Sequence, residues 1–330
     1  MPSGGWHRPS SAFWHRLPVR ARFVASVRGM ARRFETVSFL SDLGTADETT
    51  GVVRAVLRDM APHTVVVDLT HGIPPYDVRA GSLALARAIG YVPPGVIIAA
   101  VDAGPANGRS HVAIEVADGE GVLVGPDNGL LAPAVAMAGG AERAVLLTDP
   151  EFHLPSAGGL LPVRDIYAPV AAHLCNGTDL ADLGPQVDPH QLMPGMVPLP
   201  REAGDGAVAA EVLWINRVGD VQLNVGPDDL AGLASREGDR LQVTTTAVGA
   251  AGDGDGAVVR VAEWVAHVGM LGPGAVGLVV DPSGMLALAL HRRSAADELE
   301  LAPGDQVTLA RLPDGDRGPG VTSPVTLRPR

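Results

Sequence analysis

Between residues 35 and 185, short apolar runs alternate with amphipathic stretches. The runs 36–42, 64–68 and 95–102 are largely continuous in apolar character. That is the pattern of strands covered on both faces of a parallel sheet, and each run is far too short to cross a bilayer. Helical spacing follows the first two, over Val52–Met60 and Arg79–Ile89. Runs 111–117 and 121–125 predict a hairpin, followed by a helix over Ala132–Ala138 and a strand over 143–148. Residues 186–206 are rich in proline and glycine and lack periodicity, so they read as a linker. Beyond them lie short β-like runs at 208–216, 221–225, 240–247, 257–263, 275–281, 285–291 and 306–311. These suggest a compact barrel or sandwich. The expected organisation is an α/β domain with a mostly parallel sheet over 35–185, a smaller β domain over 207–314 and a tail over 315–330.

Three of the early strands end on an aspartate: Asp42, Asp68 and Asp102. The carboxyl edge of a doubly wound sheet is where such folds bind ligands. The alternative is that each carboxylate caps the next helix, which is the preferred reading for Asp68. Longer motifs around Asp42 and Asp102 favour a functional role for those two. The turn Gly252–Gly256 has the spacing of a calcium loop but lacks its final acid, Trp264 standing there, and is read as a hairpin tip. No glycine fingerprint for a dinucleotide follows any strand.

Charge and composition narrow the classes. All 25 basic residues are arginine, which excludes a Walker lysine and a Schiff-base lysine. A net charge of −12 argues against general nucleic-acid binding. Cys175 is the sole cysteine, so intrachain disulfides and cysteine-rich zinc sites are excluded, and a cytoplasmic location is the default expectation. Residues 1–34 hold seven arginines and no acid, without the apolar core of a secretory signal. They read as a basic, disordered extension.

The combination Ser41-Asp42-Leu-Gly-Thr-Ala-Asp47, Asp68-Leu-Thr-His71-Gly-Ile-Pro-Pro-Tyr76-Asp77, Val101-Asp102 with Arg109, Gly125-Pro-Asp-Asn128-Gly and Arg164-Asp-Ile-Tyr-Ala-Pro169 is specific. It resembles the S-adenosylmethionine (SAM) hydroxide adenosyltransferases, relatives of fluorinase and chlorinase, over roughly residues 36–312. The resemblance implies an N-terminal α/β domain followed by a C-terminal β-barrel. It also implies a homotrimer whose active sites lie between one subunit's N-domain and its neighbour's C-domain. The implied reaction is hydrolysis of SAM at ribose C5′ to adenosine and methionine, without a cofactor. A sulfonium is already a good leaving group, so placement of water in a dry pocket suffices.

Residue by residue, the resemblance makes Asp42 the acceptor for both ribose hydroxyls. Tyr76 falls where an aromatic packs against the ribose and sulfonium, or is simply a half-buried loop ring. Asn128 matches an active-site loop position, or serves as a turn residue. Asp102 and Arg109 match two members of a water-activating Asp-Arg-His triad, whose histidine is replaced by Pro162. Val163 stands where fluorinase has a serine for fluoride and Asp102 where the halogenases have a tyrosine, which argues against halogenation. In the C-domain, Asn216-Arg-Val-Gly-Asp220 reverses the family's Asp…Asn pair for the methionine ammonium and adenine. A neutral Asn216 brings no charge to the ammonium, so altered recognition of the amino-acid end is expected. Ser283 lines the adenine pocket or makes a hairpin turn. Besides SAM hydrolysis, a silent SAM- or adenosine-binding protein and an enzyme for another sulfonium or nucleoside remain open. His111 and, more weakly, His153 are candidate replacement bases.

Overall fold

The computed structural model describes residues 33–312 apart from 105–107, 157–158, 235 and 247–257. The basic stretch up to residue 32, the Gly252–Gly256 turn and the tail therefore lie outside the described residues. Arg33 and Phe34, read from sequence as the end of the extension, belong to the folded chain. Phe34 is buried in the core, and Arg33 bonds Glu115 and the Gly119 carbonyl. The described residues divide into two compact units, one up to Met196 and the other from Val197 onward.

In the first unit β1 (Thr36–Ser41), β2 (Val65–Thr70), β3 (Gly95–Ala100) and β5 (Gly121–Pro126) run parallel, and β4 (His111–Val116) forms the expected antiparallel hairpin with β5. β6 (Arg143–Leu146) and β7 (Gln186–Val187) complete the order β2-β1-β3-β5-β4-β6-β7. Alternate side chains of these strands feed two apolar layers. Phe39, Ile98 and Val124 face α1 (Thr49–Met60) and α4 (Ala168–Cys175), while Leu40, Ile97 and Leu123 face α2 (Val78–Ile89) and α3 (Ala132–Met137). Burying a side chain of this size contributes about 1.5–3 kcal/mol, so burial on both faces explains why β1, β3 and β5 read as unbroken apolar runs. The run 64–68 departs from that expectation: β2 is the edge strand and has no buried residue. β3 and β5 approach so closely that a Cβ at Gly125 would lie 2.5 Å from the Ala99 carbonyl oxygen.

Three departures from the sequence reading have physical causes. Helix α4 escaped because it is buried all round and lacks an amphipathic stripe; it follows a π-helical turn, Val163–Tyr167. The stretch taken as linker holds two short strands: β7 pairs with β6, and β8 (Arg201–Glu202) with the first long strand of the second unit. Asp68 caps no helix. It lies inside β2, and α2 is capped by Asp77, whose carboxylate accepts the Ala80 N–H at 2.9 Å.

The second unit is a closed barrel. β10 (Val221–Leu223), β14 (Leu286–Leu290), β13 (Val276–Val280), β12 (Val258–Trp264), β11 (Arg240–Thr246), β15 (Gln306–Arg311) and β9 (Val208–Ile215) form a ring closed by β10–β9 pairing, with β8 outside it on β9. The strands match the predicted runs. A short helix, α5 (Ala295–Leu299), packs Ala295 and Leu299 into the barrel core and was not anticipated. Among the described residues no helix is long and apolar enough to cross a membrane.

Candidate active site

β1 and β3 are neighbours in register, with Ser41 beside Ala100, so Asp42 and Asp102 emerge together at the carboxyl edge of the sheet. The Asp42 N–H donates to the Ala100 carbonyl at 3.2 Å. Its side chain does more. Oδ2 accepts the backbone N–H of Tyr76 at 2.9 Å and that of Asp102 at 3.1 Å. Both donors have left-handed backbones, with φ of 65° at Tyr76 and 49° at Asp102. Such a conformation costs a non-glycine residue about 1–3 kcal/mol and persists where its surroundings hold it. The two charge-assisted bonds from Asp42 are of a size to do so.

These residues line a cavity of about 330 Å³ together with Leu161, Pro162 and Val163. That volume is within the range of small-molecule sites, and the walls are mostly apolar around a few polar groups. Asp42 and Asp102 are the carboxylates of the lining, and Tyr76 lines it while remaining 77% exposed. The position where the resemblance expects a histidine is thus in the same cavity as Asp102, but filled by Pro162. Proline suits the start of the helical turn it precedes. The following Arg164-Asp165 pair is structural. Buried Asp165 accepts the Leu161 N–H at 2.8 Å and the Arg164 guanidinium at 2.5 and 2.9 Å, which holds the segment carrying Pro162.

The other sequence candidates fall in distinct places. Arg109 is exposed, two residues before β4, and is not part of this cavity's lining. Asn128 spends its amide on the backbone, donating to the Val101 carbonyl at 3.0 Å and accepting the Leu130 N–H at 3.1 Å. It therefore braces the residue before Asp102. His111 starts β4 at the same sheet edge, but its Nδ1 lies 2.7 Å from the buried Tyr167 hydroxyl. Burial, and secondarily the nearby His153, lowers the His111 pKa below the usual histidine value. His153 is lowered by burial too, and its Nε2 has no hydrogen-bond partner among the described residues. Neither histidine lines the cavity.

In the barrel, Asn216 and Asp220 face each other across one turn. Asn216 Nδ2 donates to Asp220 Oδ2 at 2.9 Å, and Asn216 Oδ1 accepts the N–H groups of Val218 and Asp220 at 2.9 and 3.0 Å. Gly219 completes the turn at φ 90°, where a Cβ would strike Ser294. Asp220 then lines a cavity of about 440 Å³ with Val218, Arg292, Arg293 and Ser294. The arginines were missed in sequence; the pair beside the helix-capping Ser294 was their available signal. Ser283 closes the β13–β14 turn by donating to Asp281 at 2.7 Å, and accepts from Gln222 at 2.7 Å.

A two-domain chain with a carboxylate-bearing cavity at the sheet edge and a separate seven-stranded barrel defines a narrow class. Residues 37–184 match the family described as the SAM hydroxide adenosyltransferase N-terminal domain. Over 82% of its length the chain is 40% identical to the (R)-S-adenosyl-L-methionine hydrolase of Salinispora tropica, covering 96% of that protein. It is 34% identical over 83% of its length to the protein of the same name from Thermus thermophilus, covering 98% of it. The crystal structure of an uncharacterized conserved protein from Thermotoga maritima superposes with a TM-score of 0.73 at 25% identity, covering 83% of this chain and 100% of that one. The chain belongs to the SAM hydroxide adenosyltransferase family.

Proposed function

We propose that this protein hydrolyses SAM to adenosine and methionine. The observation that carries the reading is the Asp42–Asp102 cavity in a chain 40% identical to a SAM hydrolase. Water attacks ribose C5′, the C5′–S bond breaks with its electron pair passing to sulfur, and one proton leaves the water. The sulfonium becomes a neutral thioether, so the leaving group needs no acid. Asp42 binds the ribose hydroxyls, Tyr76 covers the sugar and sulfonium, and Asp102 orients water. Apolar walls from Leu161 to Val163 exclude bulk solvent and strengthen these polar contacts. The catalytic unit is a homotrimer in which a neighbour's barrel, through Asn216, Asp220 and Ser283, completes the site, and Arg109 joins Asp102 in the assembled enzyme. Cytoplasmic residence belongs to the same reading. It rests on the single cysteine, Cys175, which leaves no disulfide to form within the chain; burial pushes that thiol up to about 12, which makes it unreactive.

One observation favours a second reading, a silent SAM- or adenosine-binding protein: Pro162 lines the cavity where the resemblance expects a histidine, and no histidine is among the described lining residues. Incubation of the pure protein with SAM, followed by chromatography, separates the two. Equimolar release of adenosine and methionine is expected; binding without release selects the silent protein.

A further inference from the structure

Next to Asp42 begins a line of polar side chains drawn from β1, β2, the loop after β2 and α1. Ser41, the fully buried last residue of β1, places its hydroxyl 2.8 Å from His71 Nδ1. His71, itself buried, has Nε2 3.0 Å from Asp68 Oδ1 in β2. The other Asp68 oxygen lies 3.1 Å from Arg54 Nη2 in α1. The His71 ring is also wedged edge-on against Phe39 at 4.6 Å, and its carbonyl accepts the Gly44 N–H at 2.8 Å.

The hydrogen-bond accounting closes with one tautomer. With Nε2 donating to Asp68, Nδ1 is left to accept the Ser41 hydroxyl proton. The Ser41 oxygen accepts the Leu43 N–H at 3.3 Å. Residues on both sides of Asp42 are thus tied to this line, which fixes the backbone from which its carboxylate projects. The serine–histidine–aspartate order matches that of a hydrolytic triad, but Ser41 has no exposed surface and cannot meet a substrate. Its effect must pass through the chain to its neighbour. Because Asp42 Oδ2 already accepts two backbone N–H groups, Oδ1 is the oxygen left for ligand hydroxyls. A carboxylate used from one side tolerates little rotation.

We propose that His71 is a positioning residue for ribose recognition, acting through Ser41 on Asp42. The proposal rests on the reading of Asp42 as the ribose ligand. The test compares calorimetric affinities for adenosine and 2′,3′-dideoxyadenosine in wild type, Ser41→Ala, His71→Phe and His71→Asn. Wild type should prefer adenosine by at least about tenfold, the value of one charge-assisted hydroxyl bond. Ser41→Ala and His71→Phe should lose most of that preference while binding dideoxyadenosine as wild type does. His71→Asn should keep it, because an asparagine oxygen falls near the place of Nδ1 and can accept from Ser41. Equal weakening of both ligands, or an unchanged preference in Ser41→Ala and His71→Phe, overturns the positioning role. A wild type that binds both nucleosides alike overturns the Asp42 assignment itself and the positioning role with it. Ser41→Ala deletes a single buried atom, so the comparison survives if His71→Phe fails to fold.

Discussion

Asp42 grips Asp102 by its backbone: Oδ2 of one accepts the N–H of the other at 3.1 Å, across two adjacent parallel strands. The same oxygen holds Tyr76 at 2.9 Å. One carboxylate thereby holds the backbones of two residues that line the same cavity, and on the proposed reading it couples binding to chemistry.

Asp42→Ala should therefore cost more than ribose affinity. Loss of hydrogen bonds to a charged group costs about 1.5–3 kcal/mol each, so adenosine binding should weaken at least roughly tenfold by calorimetry. Turnover at saturating SAM should fall too, because Asp102 loses its anchor. An unchanged affinity would refute the ribose assignment, and a change in KM with intact kcat would refute the coupling.

Much of this was legible in the chain because the signals were local. The barrel strands and the parallel strands announced themselves by apolar runs bounded by turns, and Asp42 and Asp102 by their place at strand ends. What stayed hidden depends on contacts between segments far apart in sequence. Asp68 was read as a cap because nothing in Asp-Leu-Thr-His reveals that β2 continues past it and aims it at Arg54 and His71. Nor does the sequence show that Asn216 and Asp220, read as ligand contacts, also bond each other across their five-residue turn. Helix α4, buried at every position but His173, has no periodic stripe to read.

Stability should fall on mild acidification. His111, His153 and His173 are all lowered by burial from the usual 6.5. Above that value both folded and unfolded chains hold these rings neutral. As the pH drops below it the unfolded chain takes up protons that the folded chain refuses, so unfolding gains. The melting temperature should be level above about pH 7 and decline from roughly pH 6.5 toward 5. A flat profile across that window would show that burial does not shift these rings.

Assembly is a direct test of the shared-site reading. The molar mass in solution should be three times the 33.9 kDa of the chain. A monomer at micromolar concentration in light scattering would sink the proposal that a neighbour's barrel completes the cavity.

The Asn216–Asp220 bond predicts a non-additive pair of substitutions. Asn216→Asp alone sets two carboxylates against each other where the amide now donates at 2.9 Å, and should lower the melting temperature. Adding Asp220→Asn restores a donor and acceptor with the polarity reversed, and stability should return. The double variant also brings a charge to the position expected to meet the methionine ammonium, so its KM for SAM should fall relative to wild type. Additive losses in the two single variants would mean that the turn does not depend on this bond.

The replaced histidine gives the sharpest kinetic expectation. Pro162 lines the cavity with Asp102, whereas His111 is bound to Tyr167 and lies outside that lining. General-base assistance is typically worth about 10²–10⁴ in rate, so the wild-type enzyme should be slow. Pro162→His puts an imidazole where Asp102 can reach the same water, and SAM hydrolysis should rise, with a new dependence on pH near the histidine range. His111→Ala should leave the wild-type rate unchanged. If His111 instead serves as the base in the assembled enzyme, its removal should cost at least roughly tenfold and Pro162→His should add little. Should neither substitution alter the rate, water at this site is activated by placement alone, and Asp102→Asn, which keeps the shape but not the charge, becomes the substitution on which the rate must depend.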